Sequence, residues 1–394
     1  MAHKPLAGIR VVDASRVLAG PYCGQLLADM GAEVVKIEAP AGDENRNWAP
    51  IVGGESASFL AVNRGKRGVT LNLQSPDGQR VLQRLVGEAD VLLHNFLPRT
   101  AARLGIDPDA LLARHERLIV CSISAYGAAG PMREKPGYDG ILQAYSGLMA
   151  VTGEADRPPV RIGASVVDMS TGMIAFGGIM TALYARATGG GERHVRTSLL
   201  ETGISLMGFH AVGWLQGGVL PQRQGSSLSN LVPYQAFQCA DGEIMTGALN
   251  DAVWRKLCDV VERPDLRDDP RYAGADQRLE HRATLVPIFE AIFRTRPAGE
   301  WIARLEAAGV AVSRINTLEH VFADPQTRAN GMVAEATRGD ASMPLVGMPF
   351  KLGEEAQPAP TAPPRCGEHT DAVLREWIGM GTEEVAALRA VGAI

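Results

Sequence analysis

Asp168 lies in the stretch "RIGASVVDMSTGMIAFGGIMTALYA", Arg161 to Ala185, with no other charged side chain between Arg161 and Arg186. Two kinds of chemistry suit a carboxylate there. It can cap the helix that the small and apolar run predicts, a role worth about 1 kcal/mol. It can also serve as a nucleophile, since partial burial strips its water while a helix N-terminus keeps it ionised. A carboxylate nucleophile suits thioesters, because the acyl anhydride it forms converts to a new thioester of nearly matched energy.

Other residue groups offer contacts around such a centre. "GYDGILQAYSG" holds Tyr138 and Asp139 in a loop bounded by Gly and Pro, which reads as a turn with an aromatic anchor or as a ligand contact. "LLHNFLPRTAARLG" puts Asn95 and Phe96 at the C-terminal end of a predicted strand, where open α/β sheets hold ligands, with Arg103 on the next helix. They could form an amide and aromatic platform for an adenine with a cation for phosphate, or a polar strand end and a solvated arginine. "NRGKRG", Asn63 to Gly68, is a phosphate-facing loop or a solvated turn. "GDENRNW", Gly42 to Trp48, offers Arg46 as a carboxylate partner, although surface arginines often have no such task.

Composition excludes several classes. The chain has 394 residues, 46% hydrophobic and 21% charged, with a formal net charge of -5. That length implies two domains, and the charge argues against a nucleic-acid partner. The start lacks a signal-peptide apolar run, and the longest apolar window, Gly172 to Ala185, is too short for a bilayer and reads as core helix. Five scattered cysteines without a CxxC pair suggest reduced thiols in a cytoplasmic setting, and no histidine spacing suggests a metal.

The elements that must position these residues alternate in type. "IRVVDA" reads as a strand, "YCGQLLADM" as a helix stopped by Gly31, and "AEVVKIE" as a second strand. "GVTLNL" is a third strand, followed by a helix with Ser75 as N-cap and Pro76 at its first position. "DVLLHNF" and "LIVCSISAYG" are further strands. The expected class is α/β, a Rossmann-like large domain with a parallel doubly wound sheet plus a smaller α+β domain. The first βα turn, "ASRVLAGPYCG", has no GxGxxG, so NAD is not expected. Residues 1–205 would form the first part of the large domain and 206–230 a linker. Residues 231–324 would be the small domain, opening on a hairpin turned at Asp241-Gly242 and continuing in helices near 252–261, 281–294 and 299–308. Residues 325–394 would return, through the stiff "PAPTAPP" near Gln357–Pro364, to complete the large domain.

The ordered set "VVDASRVLAGPYCGQLLADMGAEVVKIE", "GDENRNW", "NRGKRGVTLNL", "HNFLP", "GYDGILQA" and "VVDMSTG" resembles the class III CoA-transferases, also called family III, over essentially the whole chain. "GDENRNW", "VNRGKRG" and "LVPYQAF" resemble most the members that use glutarate or other dicarboxylates with succinyl-CoA. The resemblance implies that Asp168 is the nucleophile that carries an aspartyl-CoA thioester. It implies CoA contacts at Val17, Leu18 and Ala19, at Leu71, Asn72, Leu73 and Gln74, at Asn95, Phe96 and Leu97, and at Arg103, Lys135, Tyr138 and Asp139. Arg46 and the "GSSLSN" loop with Gly225, Ser229 and Asn230, which replaces a glycine-rich lid, are the implied substrate contacts. The implied assembly is an intertwined homodimer, with coenzyme A as substrate and no further cofactor. Ala39 and Gln74 stand where basic CoA contacts are common, leaving Lys66, Arg67 or Lys135 to supply phosphate charge. Arg196 stands where an acid is common. The related 2-methylacyl-CoA racemases use a histidine within "GHD", where this chain has Gly137-Tyr138-Asp139; tyrosine is a poor base near neutral pH, which favours transfer. A non-catalytic CoA-binding protein is the other alternative, with Asp168 only a cap.

Overall fold

The computed structural model describes residues 4–353 and 359–394, so Gln357 and Pro358 of the expected stiff linker lie outside the described residues. The chain divides into two compact units. One comprises residues 1–148, 162–211 and 325–394; the other comprises 149–161 and 212–324.

The first unit is built on short apolar strands: β1 (Arg10–Asp13), α1 (Ala19–Asp29), β2 (Glu33–Glu38), β3 (Lys66–Thr70), α2 (Pro76–Gly87), β4 (Val91–His94), α3 (Pro98–Arg103), β5 (Ile119–Ser124), α4 (Asp139–Tyr145), α5 (Val166–Ala187), β6 (His194–Ser198) and α6 (Leu199–Leu206) follow in order. The six strands form one parallel sheet in the order β3-β2-β1-β4-β5-β6. The strand order reverses between β1 and β4, the switch point where open α/β sheets bind ligands beyond the strands' carboxyl ends. Near-continuous burial of the β1, β2, β4 and β5 side chains follows from helices covering both faces.

Local chemistry sets the helix ends. Ser75 Oγ accepts the Gly78 N–H at 3.0 Å, and Pro76 opens α2. Gly31, at φ 96°, turns the chain out of α1. α5 starts at Val166 with Ser165 in the cap position, so Asp168 is the third helical residue and does not cap its own helix. α5 is 22 residues long and apolar enough to cross a membrane by length and composition, longer than the apolar window of the sequence. Its Val167, Thr171, Ala175 and Ile179 are buried in this unit, as in a core helix. Gly172 lets it cross α1 closely: a Cβ there would lie 2.6 Å from the Ala19 carbonyl oxygen.

The tail closes the same unit. Trp377 Nε1 donates to Glu33 Oε1 at 2.7 Å, the His369 N–H to the Gly68 carbonyl, and the Asn72 N–H to the Ala393 carbonyl. Val373, Leu374 and Trp377 join the core beside Val35, Val69 and Leu82.

The second unit carries a three-stranded antiparallel sheet, β7 (Tyr234–Gln238), β8 (Glu243–Gly247) and β9 (Val312–Arg314), with β8 central. β7 and β8 form a hairpin whose loop contains Asp241-Gly242. Helices over Asp251–Val260, Arg282–Phe293 and Ala298–Ala307 pack Trp254, Phe289, Phe293 and Trp301 around Phe237. The expected linker at 206–230 needs correction, because Gly208–Gly217 is helical. The stretch "HVRTSLLETGISLMGFHAVGWLQGGVL" reads as a strand leading into a long helical pattern, and the break in that pattern falls only at "PQRQGSSLSN".

Candidate active site

A cavity of ≈ 200 Å³ opens at the switch point of the sheet. Arg16, Val17, Leu18 and Ala19 from the β1–α1 turn line it, with Glu44, Asn95, Phe96, Leu97 and Thr100. Ile123, Ser124, Ala125, Pro136, Gly137, Tyr138, Asp168 and Leu199 complete the lining. Thus Asp168, Val17, Leu18, Ala19, Asn95, Phe96, Leu97 and Tyr138, named from the sequence, share one cavity. No histidine is among its lining residues.

Asp168 is 8% exposed. Burial, and then the charge of Asp139, push its carboxyl up to about 7, so the sequence expectation of a persistently ionised carboxylate is corrected. Asp139 does not line the cavity. It is buried, and its Oδ2 accepts the Val167 N–H at 2.8 Å and the Asp168 N–H at 3.2 Å. Its Oδ1 accepts from Gln143 Nε2 at 2.5 Å, and Gln143 Oε1 accepts the Ile162 N–H at 2.8 Å. The side chain that caps α5 is therefore Asp139.

The β1–α1 turn is strained and held from below. Val17 sits at φ 69°, a left-handed conformation that costs a β-branched residue roughly 1–3 kcal/mol. Its N–H donates to Asp43 Oδ2 at 3.2 Å, and its carbonyl accepts from Asn45 Nδ2 at 2.6 Å. Asn95 Oδ1 accepts the Arg16 N–H at 2.9 Å, and Asn95 Nδ2 donates to the Arg16 carbonyl at 2.8 Å. The Asn95 amide thus clamps two loops together, rather than standing free as the adenine contact its strand-end position suggested. Beside it His94, pushed down to about 4 by burial and then by His194, faces Ser122 Oγ at 2.8 Å, while His194 Nε2 lies 3.0 Å from the same hydroxyl.

Several expected contacts have other partners. Lys66 is buried on Asp13 (2.8 Å), the Pro21 carbonyl and Asn63, and burial pulls its amine down to about 8. Arg67 pairs with Glu33 and Glu376. Arg46 forms a two-pronged pair with Glu38 at 2.7 Å and stacks 3.6 Å from the Phe59 ring centroid. Leu71 is buried, and Asn72 caps the turn at Gln74 and holds the tail. Leu73, Gln74 and Arg103 are likewise outside the cavity lining. Lys135 rests 5.5 Å from the Tyr126 ring centroid. Gly225, Ser229 and Asn230 belong to the second unit, where the Gly225 N–H donates to the Gly153 carbonyl at 3.0 Å. Arg16, Glu44 and Thr100 were not singled out from the sequence, although Arg16 was legible as the cation of the first turn. Among the described residues no cluster of three or more His, Cys, Asp or Glu could hold a metal ion.

Comparison with known proteins gives a consistent picture. The model of CoA-transferase family III matches residues 6–370. The chain is similar to an acyl-CoA transferase of Fusarium pseudograminearum, 41% identical over 99% of this chain and 88% of the relative. It is similar to the mouse succinyl-CoA:glutarate CoA-transferase, 35% identical over 99% of this chain and 90% of the relative. A crystal structure of a CAIB/BAIF family protein from Brucella suis matches with a TM-score of 0.85 and 35% identity, covering 95% of this chain and 100% of that one.

Proposed function

The chain belongs to CoA-transferase family III, and from that premise we propose that it moves coenzyme A from succinyl-CoA to a small dicarboxylic acid through Asp168. The relatives named for succinyl-CoA and glutarate support this substrate class. The observation that carries the reading is Asp168, buried and opening on the cavity at the sheet's switch point.

The ionised Asp168 attacks the thioester carbonyl, forming an anhydride and releasing the coenzyme's thiolate. That thiolate attacks the aspartyl carbonyl, giving an aspartyl-CoA thioester and freeing the donor's carboxylate. The acceptor's carboxylate attacks this thioester, the thiolate leaves again, and its attack on the acceptor's side of the new anhydride restores Asp168. No proton is gained or lost over the cycle. Ala19 and Gly20 open α1 beside the cavity, and an N-terminal helix turn favours the negative charge that develops on the carbonyl oxygens.

The same reading includes an intertwined homodimer in a cytoplasmic setting. Exposed Met173, Ile174, Ile204 and Phe209 are the apolar surface that such pairing would cover, and the five cysteines are all free. Light scattering of the purified protein tests the assembly. Incubation with succinyl-CoA and hydroxylamine, followed by peptide mass analysis, tests the chemistry: a hydroxamate on Asp168 is expected. Unmodified Asp168 under turnover would overturn the mechanism.

A further inference from the structure

Arg16 is the cation among the residues lining the cavity, and nothing in the transfer cycle above uses it. Its backbone is fixed at both ends by the Asn95 amide, at 2.9 and 2.8 Å. The next residue, Val17, is held in its strained conformation by Asp43 and Asn45. The Arg16 guanidinium lies 5.2 Å from the Phe96 ring centroid and has no ion-pair partner among the described residues. Neighbouring cations are differently placed: Lys36 is committed to Asp43, Lys66 to Asp13, and Arg46 to Glu38. An arginine steered by an aromatic face keeps its planar fork free for a two-pronged bond to an oxyanion.

We propose that Arg16 binds an anionic group of the substrate at this cavity, the carboxylate at the far end of a dicarboxylic acyl chain. The size of the cavity favours that end of the substrate. At ≈ 200 Å³ it falls below the usual 300–1,000 Å³ of sites for drug-sized ligands, so it suits a short acyl group better than a whole coenzyme. A phosphate of the coenzyme is the other source of the same oxyanion chemistry. Glu44, on the same lining, disfavours an anion placed close to itself and thereby narrows where the carboxylate sits. This inference rests on the transferase reading and names the residue that selects the substrate.

Arg16→Met and Arg16→Lys, assayed with succinyl-CoA and with acetyl-CoA as donors, test it. The two donors share the coenzyme and differ in the distal carboxylate. A KM raised about tenfold or more for succinyl-CoA alone in Arg16→Met, partly restored in Arg16→Lys, assigns the carboxylate. An equal rise for both donors assigns the oxyanion to a phosphate. Unchanged KM values for both overturn the proposal. Circular dichroism and hydroxylamine trapping at Asp168 are run on each variant. Trapping that fails in the unmodified protein counts against the transferase reading, whereas trapping that persists with unchanged KM values counts against Arg16 alone.

Discussion

Asp139 Oδ2 accepts hydrogen bonds from the second and third amides of the helix that carries Asp168, at 2.8 Å from Val167 and 3.2 Å from Asp168 itself. One carboxyl group thereby fixes the position of a second and also raises its pKa. Asp139→Asn keeps an oxygen for the two amides and removes the charge, at the cost of the hydrogen bond from Gln143 Nε2. On the proposed mechanism the ionisation of Asp168 limits transfer at low pH, and in this variant it should move below about 7. Profiles of kcat/KM from pH 5 to 9 read this directly. A limb that stays in place would show that the charge of Asp139 is not felt at Asp168.

Asp168 also makes the protein less stable in the pH range where the proposed mechanism needs it ionised. Its folded pKa of about 7 lies above its ordinary 3.8, so the native state favours the protonated form. Its contribution to stability is fully present below about pH 4 and is lost as pH rises through 7. The loss is on the order of 4 kcal/mol at most. Asp168→Asn should therefore melt higher than the unmodified protein at pH 8, with the gain shrinking toward pH 4, and should lose transfer. Thermal melts across that range check the sign: a gain independent of pH contradicts it.

Much of the scaffold was legible because its signals are local. Ser75 and Pro76 start a helix, Gly31 ends one, and the apolar runs of the first four main strands need no partner to be recognised. The convergence of Val17, Asn95, Phe96, Tyr138 and Asp168 on one cavity follows from a sheet whose strand ends share one edge. Long-range polar pairing was not legible. Nothing near Lys66 indicates that its partner is Asp13, nor does anything near Arg46 announce both Glu38 and the Pro364 carbonyl. Asp139 looked like a ligand contact because its role is to cap a helix 28 residues further on. The segment 149–161 joins the second unit although it lies between two parts of the first.

His94 predicts acid lability. Its folded pKa of about 4 lies below the ordinary 6.5, because burial and then His194 oppose its charge. Between those values the unfolded chain binds a proton that the native state refuses, so stability falls as pH drops through the window, by about 3 kcal/mol at most. His194 is also held below its ordinary value, by burial and then Arg196, with Asp109 opposing, so it adds a slope of the same sign. His94→Gln should flatten the fall between pH 6.5 and 4 without abolishing it. Urea midpoints at pH 7, 6 and 5 measure this; an unaltered slope would remove His94 as the cause.

Gly172 links packing to chemistry more directly than any other small residue of α5. It lies four residues after Asp168, one turn along the helix, and its Cα faces the Ala19 carbonyl. A Cβ would come within 2.6 Å of that oxygen and 3.1 Å of the Tyr22 ring. The oxygen is backbone at the start of α1 and cannot rotate away, so the helices must separate. Gly172→Ala gains helix propensity, yet overpacking of this kind costs roughly 1–3 kcal/mol and exceeds the gain. The separation would occur where Asp168 and Ala19 both line the cavity, so kcat should fall together with the melting temperature. Parallel measurement of thermal unfolding and hydroxamate formation checks both consequences. An alanine variant with undiminished stability and trapping would show that this helix crossing does not hold Asp168 in place.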